Sequence, residues 1–491
     1  MVKSSGAQRE SEGAVVPVIG ADENASGGKG PRFGHACGGG KRKGMAGTAR
    51  PNSPDRLPPV DNVRKLQRKL WVAAKRHPGR RFHALYDRLY RGDVLGEAWR
   101  RVRANGGAAG VDRVTLAAVE AYGVERMLDE LQRDLCTGRY RPRPSLRREI
   151  PKPQGGVRPL DIPTVRDRVA QQAARIVLEP IFEADFLPCS YGYRPRRSAI
   201  AALEAIRTAF PRGYAHAVDA DIRDFFGQID HDKLMALVGE RISDRRVLKL
   251  VRKWLEAGVL EEGRLRETVT GTPQGGVISP LLSNIYLHAF DRMWAAQGSG
   301  LLVRYADDLV VLCQTPDEAE EARERIERLL GSLRLELNPA KTRVLDLSEG
   351  RQGFDFLGCH FRARVSGRLL ERGVRRYYLQ RWPSARSMTR IRAKIRERTG
   401  RNRAGVRDVR VVIGDLNPVL RGWGNYFRTG NASDKFVQVD DYARARLRRL
   451  LVRRYGRNLR PGQADRWTSD WFRAQGLYRL RGTIRYPGVA S

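Results

Sequence analysis

Two adjacent carboxylates stand in the middle of an apolar stretch, L-L-V-R-Y-A-D-D-L-V-V-L-C, at residues 301–313. Asp307 and Asp308 repel one another, and burying either one without a partner is costly. The β-rich apolar runs on both sides predict a buried hairpin with the carboxylates at its tip. Aspartates that merely stabilise a turn are the alternative. Two of them in so hydrophobic a hairpin favour a bound divalent cation instead.

A third carboxylate comes from a second apolar segment. The strand predicted at 216–222 (H-A-V-D-A-D-I) carries Asp219 and Asp221 on one face. Mg²⁺ binds carboxylates together with substrate phosphates, and two metal ions ~3.5–4 Å apart stabilise both oxygens of an in-line phosphoryl displacement. We therefore expect Asp221, Asp307 and Asp308 to be catalytic and to bind two Mg²⁺ ions, for which Mn²⁺ could substitute. Asp219 is the alternative to Asp221, and a solvated strand end is the alternative for both.

The composition indicates a polyanionic partner. The 491 residues include 92 Lys and Arg against 55 Asp and Glu, a net charge of +37, which favours nucleic-acid binding. The five cysteines have neither disulfide-framework nor zinc spacing. With no run of ~20 apolar residues and no signal peptide, we expect a cytoplasmic protein without a membrane partner.

Periodicity and turn residues predict alternating helices and strands. Residues 1–60 are rich in Gly, Ser, Pro and charge, and predict a disordered basic tail. Two short strands are expected around Gly155-Gly156 within 147–163. A Gly-rich loop at 270–280 should lead into a helix. Further helices are predicted at 166–187, 234–238, 247–255, 281–294 and 316–333, and further strands at 343–346 and 354–364.

The last quarter of the chain is strongly basic. Residues 366–491 hold 31 Lys and Arg but only 9 Asp and Glu, and they predict helices with one basic face. Aromatic side chains among arginines in L-N-P-V-L-R-G-W-G-N-Y-F-R (416–428) suit RNA through stacking and phosphate contacts. Burial in a helical core is the alternative for the aromatics. The candidate RNA-binding residues are Arg421, Trp423, Tyr426, Arg428, Arg448, Arg449 and Arg453.

Six blocks in order resemble the group II intron-encoded reverse transcriptases, and the likeness runs from about Asn105 to the C-terminus. R-Y-A-D-D resembles the catalytic hairpin, and V-D-A-D-I-R-D-F-F the first catalytic strand with its aspartate at Asp221. The blocks lie at 190–198 (S-Y-G-Y-R-P-R-R-S), 218–231, 271–288 (G-T-P-Q-G-G-V-I-S-P-L-L-S-N-I-Y-L-H), 304–308, 337–342 (L-N-P-A-K-T) and 354–358 (F-D-F-L-G).

The resemblance implies an α+β right-hand polymerase. Fingers and a palm with an antiparallel sheet would be followed by an all-α thumb or maturase domain. The expected domains are the tail at 1–60, an N-terminal extension and fingers at 61–215, the palm at 216–365, the thumb or maturase domain at 366–458 and a C-terminal segment at 459–491; the fingers and palm together form a reverse transcriptase domain of about 105–365.

The resemblance also implies roles for single residues. Lys152 and Arg158 would grip the incoming triphosphate, and Phe226 would form an aromatic wall that clashes with a 2′-OH. Gln274 would lie near the nascent base pair, and Lys341 would assist the pyrophosphate leaving group. Asp161 stands where the family usually has a small residue, so we expect it to weaken the triphosphate grip slightly or to point outward. Ile222 is placed in the metal site beside Asp221.

The expected function is RNA-directed DNA synthesis combined with intron maturase activity. Its substrates and partners would be dNTPs, an RNA template, a DNA primer or target, and the intron RNA. No cysteine follows Cys359, so a Cys/His-rich endonuclease is not expected. The alternatives are a splicing maturase with little polymerase activity and a related host-defence or CRISPR-associated reverse transcriptase. The presence of all three carboxylates favours the polymerase.

Overall fold

A computed structural model describes residues 59–151, 157–261, 264–266, 270–365, 367–403, 405–456, 459–460 and 462–486. The predicted tail, apart from its last two residues, lies outside this part of the chain, and so does Lys152.

The described chain combines helices and strands, with five helices before the first strand and four after the last. The helices are α1 (Pro59–Arg76), α2 (Tyr86–Leu89), α3 (Gly92–Asn105), α4 (Leu116–Tyr122), α5 (Val124–Cys136), α6 (Val165–Glu183), α7 (Ala199–Ala209), α8 (Phe225–Gln228), α9 (His231–Gly239), α10 (Arg245–Leu255), α11 (Ser279–Gln297), α12 (Pro316–Ser332), α13 (Gly367–Leu370), α14 (Ala385–Arg398), α15 (Val409–Phe427), α16 (Ser433–Tyr455) and α17 (Ser469–Ala474). The strands are β1 (Ser145–Pro151), β2 (Val157–Ile162), β3 (His216–Asp221), β4 (Val259–Glu261), β5 (Arg264–Arg266), β6 (Leu301–Tyr305), β7 (Asp308–Cys313), β8 (Arg343–Asp346), β9 (Gly353–Phe356), β10 (Cys359–Val365) and β11 (Tyr377–Pro383).

The strands form three sheets, in the orders β2-β1-β4-β5, β6-β7-β3-β8 and β11-β10-β9. Neighbouring strands pair antiparallel, except β1 and β4, which run parallel. The predicted mixture of helices and antiparallel sheets is therefore confirmed.

The sheet β6-β7-β3-β8 lies between two hydrophobic cores. Val218 and Val311 face a core built with α1, α3, α6 and α11. Ala217 and Val310 face a second core shared with the sheet β11-β10-β9 and helices α14–α16. Because successive side chains of a strand point to opposite faces, apolar residues are required on both faces of this sheet, and its strands are correspondingly apolar.

Two boundaries differ from the sequence prediction. Asp308 is the first residue of β7 rather than part of the hairpin tip, because it pairs with Tyr305. The region predicted to be all-α from 366 contains a strand, β11, which pairs antiparallel with β10, and its long helices start only at Ala385. Among the described helices, none is both long and apolar enough to cross a bilayer.

Candidate active site

Asp221 and Asp308 are direct partners on neighbouring strands. β3 and β7 pair in the register Asp219–Val310, Ala220–Leu309, Asp221–Asp308. Directly opposed residues have Cβ atoms ~4.5–5.5 Å apart, and the alternation of side chains puts Asp219, Asp221 and Asp308 on one face. The structure thus brings together carboxylates that lie 87 positions apart in the sequence.

Asp307 lies in the two-residue turn between β6 and β7. Tyr305 pairs with Asp308, which leaves Ala306 and Asp307 as the loop, and Ala306 adopts a φ of +57°. Gly192 packs against this turn, since a Cβ atom there would come within 2.4 Å of the Ala306 nitrogen. The close approach requires glycine, and it fixes the turn from outside the sheet.

Arg304 holds the same turn from beneath. Its Nη1 donates to the Ala306 carbonyl at 3.0 Å and to Asn284 Oδ1 at 3.2 Å. Its Nη2 donates to Ser190 Oγ at 2.8 Å, and Nε and Nη2 donate to both carboxylate oxygens of Asp291 at 2.7 and 2.5 Å. α11 and the segment before α7 are thereby tied to the backbone next to Asp307.

Sequence reasoning did not assign a role to Arg304 or Asp291. The available signal was an arginine inside an otherwise apolar strand, since such a side chain is buried only when it is paired. Nothing in the spacing indicates that its partner is Asp291, on a helix that precedes the strand.

Burial and neighbouring carboxylates raise the pKa of Asp307 and Asp308. Burial, followed by the charges of Asp307, Asp221 and Asp219, raises the pKa of Asp308 to about 7. The pKa of Asp307 is also raised, chiefly by burial and then by Asp221. Although protein surrounds Asp308, its side chain remains accessible to solvent. A cation could therefore reach a cluster whose negative charges disfavour one another.

Lys341 contacts this cluster at Asp221, and Arg343 contacts it at Asp219, with Nη2 2.8 Å from Oδ2. The Lys341 Nζ lies 2.8 Å from Asp221 Oδ2, and Asn338 Nδ2 donates to the same oxygen at 3.3 Å. The backbone N–H of Asn338 also donates to the Asp221 carbonyl at 2.8 Å. The segment 337–342 therefore docks on the end of β3, and Lys341 lowers the pKa of both Asp307 and Asp308.

The side chains of Asp221, Asp307 and Asp308 are chemically suitable ligands for a hard divalent cation, because Mg²⁺ prefers carboxylate oxygens. In the described part of the chain, no group of three His, Cys, Asp or Glu side chains is arranged to hold a metal ion as it stands. One oxygen of Asp221, Oδ2, is engaged by Lys341. Ile222, the other predicted member of the metal site, follows Asp221 with its side chain buried.

Two of the predicted dNTP-binding residues meet beside this cluster. Arg158, on β2, donates from Nε to Gln274 Oε1 at 3.4 Å. Arg158 is exposed, and its charge lowers the pKa of Asp307.

One of the two expectations for Asp161 was that its side chain points outward. The structure contradicts this expectation. Asp161 is 2% exposed, its carboxylate binds Arg147 at 2.8 Å, and it accepts a hydrogen bond from the Gln274 N–H at 3.2 Å. The carboxylate is therefore directed into the protein, where its charge is paired with Arg147.

Phe226 lies one turn beyond β3, on the short helix α8. Its ring is half-buried and packs edge-to-face with Phe225, centroid to centroid 5.3 Å. Phe225 is the buried member of the pair, 2% exposed. The carbonyl of Phe226 accepts from the Thr272 N–H at 2.9 Å, which joins α8 to the loop that carries Gln274.

The candidate RNA-binding residues divide into a packed and an exposed group. Tyr426 donates its hydroxyl proton to the Leu357 carbonyl at 2.8 Å, and burial raises its pKa. Trp423 packs on Phe427 and Phe436, at centroid distances of 4.9 and 5.5 Å. The helical-core alternative therefore accounts for these two aromatic side chains.

The predicted arginines lie nearer the surface. Arg421 is exposed, with its guanidinium 5.2 Å from the Tyr478 ring centroid, and Arg428 is half-buried. Arg448 is exposed but binds Asp465 at 2.6 Å. Arg449 and Arg453 are exposed four residues apart on α16, and these positions share a helix face.

Comparisons with known proteins agree with this arrangement. Residues 150–361 match the family model "Reverse transcriptase (RNA-dependent DNA polymerase)" and residues 388–467 match "Group II intron, maturase-specific domain". Protein YkfC of Escherichia coli K12 is 35% identical over 338 residues, which cover 60% of this chain and 87% of that protein. The group II intron-encoded protein LtrA of Lactococcus lactis is 39% identical over 212 residues, covering 43% of this chain and 35% of LtrA.

A protein described as an uncharacterized 91 kDa protein in the cob intron of Schizosaccharomyces pombe is 31% identical over 375 residues, covering 61% of this chain. The matched region spans 45% of that protein, so it and LtrA are matched over less than half of their length.

The reverse transcriptase match over the three carboxylates makes the chain an enzyme of the RNA-directed DNA polymerase class. With the maturase-specific domain that follows, it belongs to the family of group II intron-encoded reverse transcriptases.

Proposed function

We propose that the chain copies an RNA template into DNA by transferring nucleotides from dNTPs to a primer 3′-OH, and that it also binds its intron RNA to assist splicing and mobility. One observation carries the polymerase part of the proposal: Asp221 lies opposite Asp308 across β3 and β7, beside Asp307 in the turn. Three clustered carboxylates on a strand pair and its turn suit the two-cation chemistry of phosphoryl transfer.

Two Mg²⁺ ions would be held by Asp221, Asp307 and Asp308, with Ile222 in the same site; Mn²⁺ could replace them. When bound, they would stabilise the charge that develops on the transferred phosphoryl group. The raised pKa values of Asp307 and Asp308 support this assignment. Carboxylates that disfavour one another's ionisation gain from a shared cation.

The chain's own cations and loop would orient the nucleotide. Arg158, together with Lys152, would bind the triphosphate, and Lys341 would donate a proton to the departing pyrophosphate. Gln274 would contact the nascent base pair, while the ring of Phe226 would exclude a ribose 2′-OH. The contact between Arg158 and Gln274, and the position of Lys341 on Asp221, support a single nucleotide site.

We further propose that the chain folds as a right hand. Residues 61–215 would supply the N-terminal extension and fingers, 216–365 the palm with its antiparallel sheet, 366–458 the thumb or maturase domain and 459–491 a C-terminal segment. The central position of the sheet β6-β7-β3-β8 between two cores supports a palm.

The maturase domain would bind the intron RNA through its exposed arginines. The match to the maturase-specific model and the excess of Lys and Arg in this region support that partner. A splicing cofactor with little polymerase activity is the second candidate. The three carboxylates in one cluster favour the polymerase over it.

Primer extension on an RNA template, with and without Mg²⁺, tests the proposal. Asp307→Asn should reduce extension by about 10³-fold or more, because it removes a negative charge where cations would be bound. Intron RNA affinity should stay within about twofold of the wild type. Extension at the normal rate by Asp307→Asn would refute the site. A wild-type chain that binds RNA but never extends a primer would favour the maturase alternative.

A further inference from the structure

The loop that carries Gln274 is fastened to the β1–β2 hairpin through Asp161. The Asp161 N–H donates to the Gln274 carbonyl at 2.7 Å, and the Gln274 N–H donates to Asp161 Oδ2 at 3.2 Å. Both backbone groups of Gln274 are thus bound to one residue of β2. One of these hydrogen bonds uses the backbone of β2 and the other uses the Asp161 side chain, so the loop is attached to the strand at a single residue.

Arg147 holds the carboxylate that makes this contact. It is the cross-strand partner of Asp161, and its Nε and Nη2 donate to Oδ1 and Oδ2 at 2.8 and 3.2 Å. The hydrogen bond with Asp161 is also the main reason that the pKa of Arg147 is raised. A bidentate guanidinium fixes the plane of a carboxylate, so Oδ2 is aimed at the Gln274 N–H.

Further contacts hold the loop on both sides of Gln274. Before it, the Thr272 N–H donates to the Phe226 carbonyl at 2.9 Å. After it, Gly275 adopts a φ of +128°, and a Cβ atom there would lie 2.5 Å from the Asp161 carbonyl oxygen. The Val277 N–H then donates to Gln171 Oε1 at 2.9 Å. Between these points the loop has little freedom to shift along β2.

We propose that Asp161, held by Arg147, is a positioning residue that sets the place of Gln274 in the nucleotide site. The inference rests on the proposed function, in which Gln274 and Arg158 contact the same dNTP. Arg158 lies three residues before Asp161 on β2, and its Nε reaches Gln274 Oε1 at 3.4 Å. The Asp161 contacts therefore determine how the amide of Gln274 and the guanidinium of Arg158 face one another.

Nucleotide kinetics distinguish positioning from a purely structural ion pair. Asp161→Ala in the full chain should raise the KM for dNTP by about tenfold, because the misplaced loop weakens nucleotide binding, and should change kcat by less than about threefold. Asp161→Glu should recover part of the loss. Arg147→Ala should also raise KM, and the double variant should be no worse than Asp161→Ala, as expected for residues that act as one unit.

The matched control is Asp244→Ala. Asp244 is also a buried carboxylate, and it accepts backbone hydrogen bonds from Leu85 and Tyr86 at 2.9 Å each. Its loss should lower Tm and leave the KM for dNTP unchanged. The inference is overturned if Asp161→Ala lowers Tm as the control does and leaves KM at the wild-type value.

Hydrogen exchange separates this inference from the proposed function. Peptides that cover 270–280 should exchange faster in Asp161→Ala than in the wild type, whether or not the chain polymerises, because the Gln274 N–H loses its acceptor. Unchanged exchange in these peptides would refute the inference that Asp161 holds the loop, whatever the polymerase activity. Faster exchange in a chain that never extends a primer would leave the fastening in place and refute polymerisation alone.

Discussion

Arg304 and Asp291 form an ion pair that no solvent reaches, with both side chains 0% exposed and Nη2 2.5 Å from Oδ2. The arginine continues from this pair to the Ala306 carbonyl, one residue before Asp307. The pair therefore links α11 to the turn that carries a predicted metal ligand. A buried charge left without its partner destabilises a protein strongly.

Asp291→Asn should lower the free energy of unfolding by about 3–5 kcal/mol, because it leaves the Arg304 guanidinium buried without a counter-charge. Denaturant unfolding of the full chain measures this change. Arg292→Gln is the control on the same helix: Arg292 pairs with Glu240 at 3.0 Å, with both side chains 47% exposed, and such exposed pairs contribute about 0–1 kcal/mol. If both substitutions lowered the free energy of unfolding equally, the buried pair would contribute no more to stability than the exposed pair.

Local pattern was sufficient to predict the strands that carry the carboxylates. Asp219 and Asp221 alternate with the apolar residues Val218 and Ala220 on β3, and Asp307-Asp308 interrupt an apolar hairpin. Both patterns indicate a strand that carries carboxylates. Contacts between distant segments could not be predicted in the same way. In the sequence, nothing distinguishes Asp291 from a solvent-exposed carboxylate on a helix. Only the folded chain shows that it pairs with Arg304.

Asp161 and β11 show why the remaining details were not predicted. A carboxylate beside a triphosphate grip suggests repulsion, and the compensating Arg147 becomes visible only once β1 and β2 are paired in register. β11 follows a basic stretch at 371–376, and the charge of the whole region favoured helices in the interpretation of the sequence. Its own residues Tyr377, Tyr378 and Trp382 are of types that favour strands, and its pairing with β10 makes it one.

Asp308→Asn should stabilise the metal-free protein above neutral pH. Folding raises the pKa of Asp308 from 3.8 to about 7, so the folded state binds the proton more tightly than the unfolded state. Its contribution is most favourable below pH ~4 and is lost as the pH rises towards 7. In EDTA at pH 8 the substitution should raise Tm by about 2–4 °C, with little change at pH 4.

Asp129→Asn serves as the control for charge removal, because Asp129 is exposed on α5, away from the carboxylate cluster. Its Tm should stay within about 1 °C of the wild type at both pH values. A Tm of Asp308→Asn that falls at pH 8 would contradict the raised pKa.

Lys341→Ala should lower the rate of the chemical step by about 10²-fold, because the leaving pyrophosphate loses a proton donor. Single-turnover incorporation of one nucleotide measures this rate separately from product release. Lys341 is 63% exposed and touches Asp221, so its loss should not unfold the chain. Lys341→Arg keeps the positive charge but donates a proton poorly. If the single-turnover rate of Lys341→Arg equalled that of the wild type, Lys341 would act through its charge alone and not as a proton donor.

Arg449 and Arg453 offer a test of the RNA-binding face on α16. Both are exposed on one side of the helix, and phosphate contacts dominate such binding and its salt dependence. Replacing both with Gln should weaken intron RNA binding by about tenfold or more at physiological salt. It should also reduce the slope of log K against log salt by about 1.5–2, as expected if each arginine neutralises one phosphate.

A charge-matched control separates this face from the overall positive charge. Arg245 on α10 and Arg328 on α12 are also exposed. Replacing both with Gln also removes two positive charges, but from the region before residue 366. If the net charge of +37 alone drove association, the two double variants would lose affinity and salt slope equally. A loss confined to the Arg449 and Arg453 variant would place the RNA on α16, because screening at physiological salt confines the effect of a charge to about 8 Å.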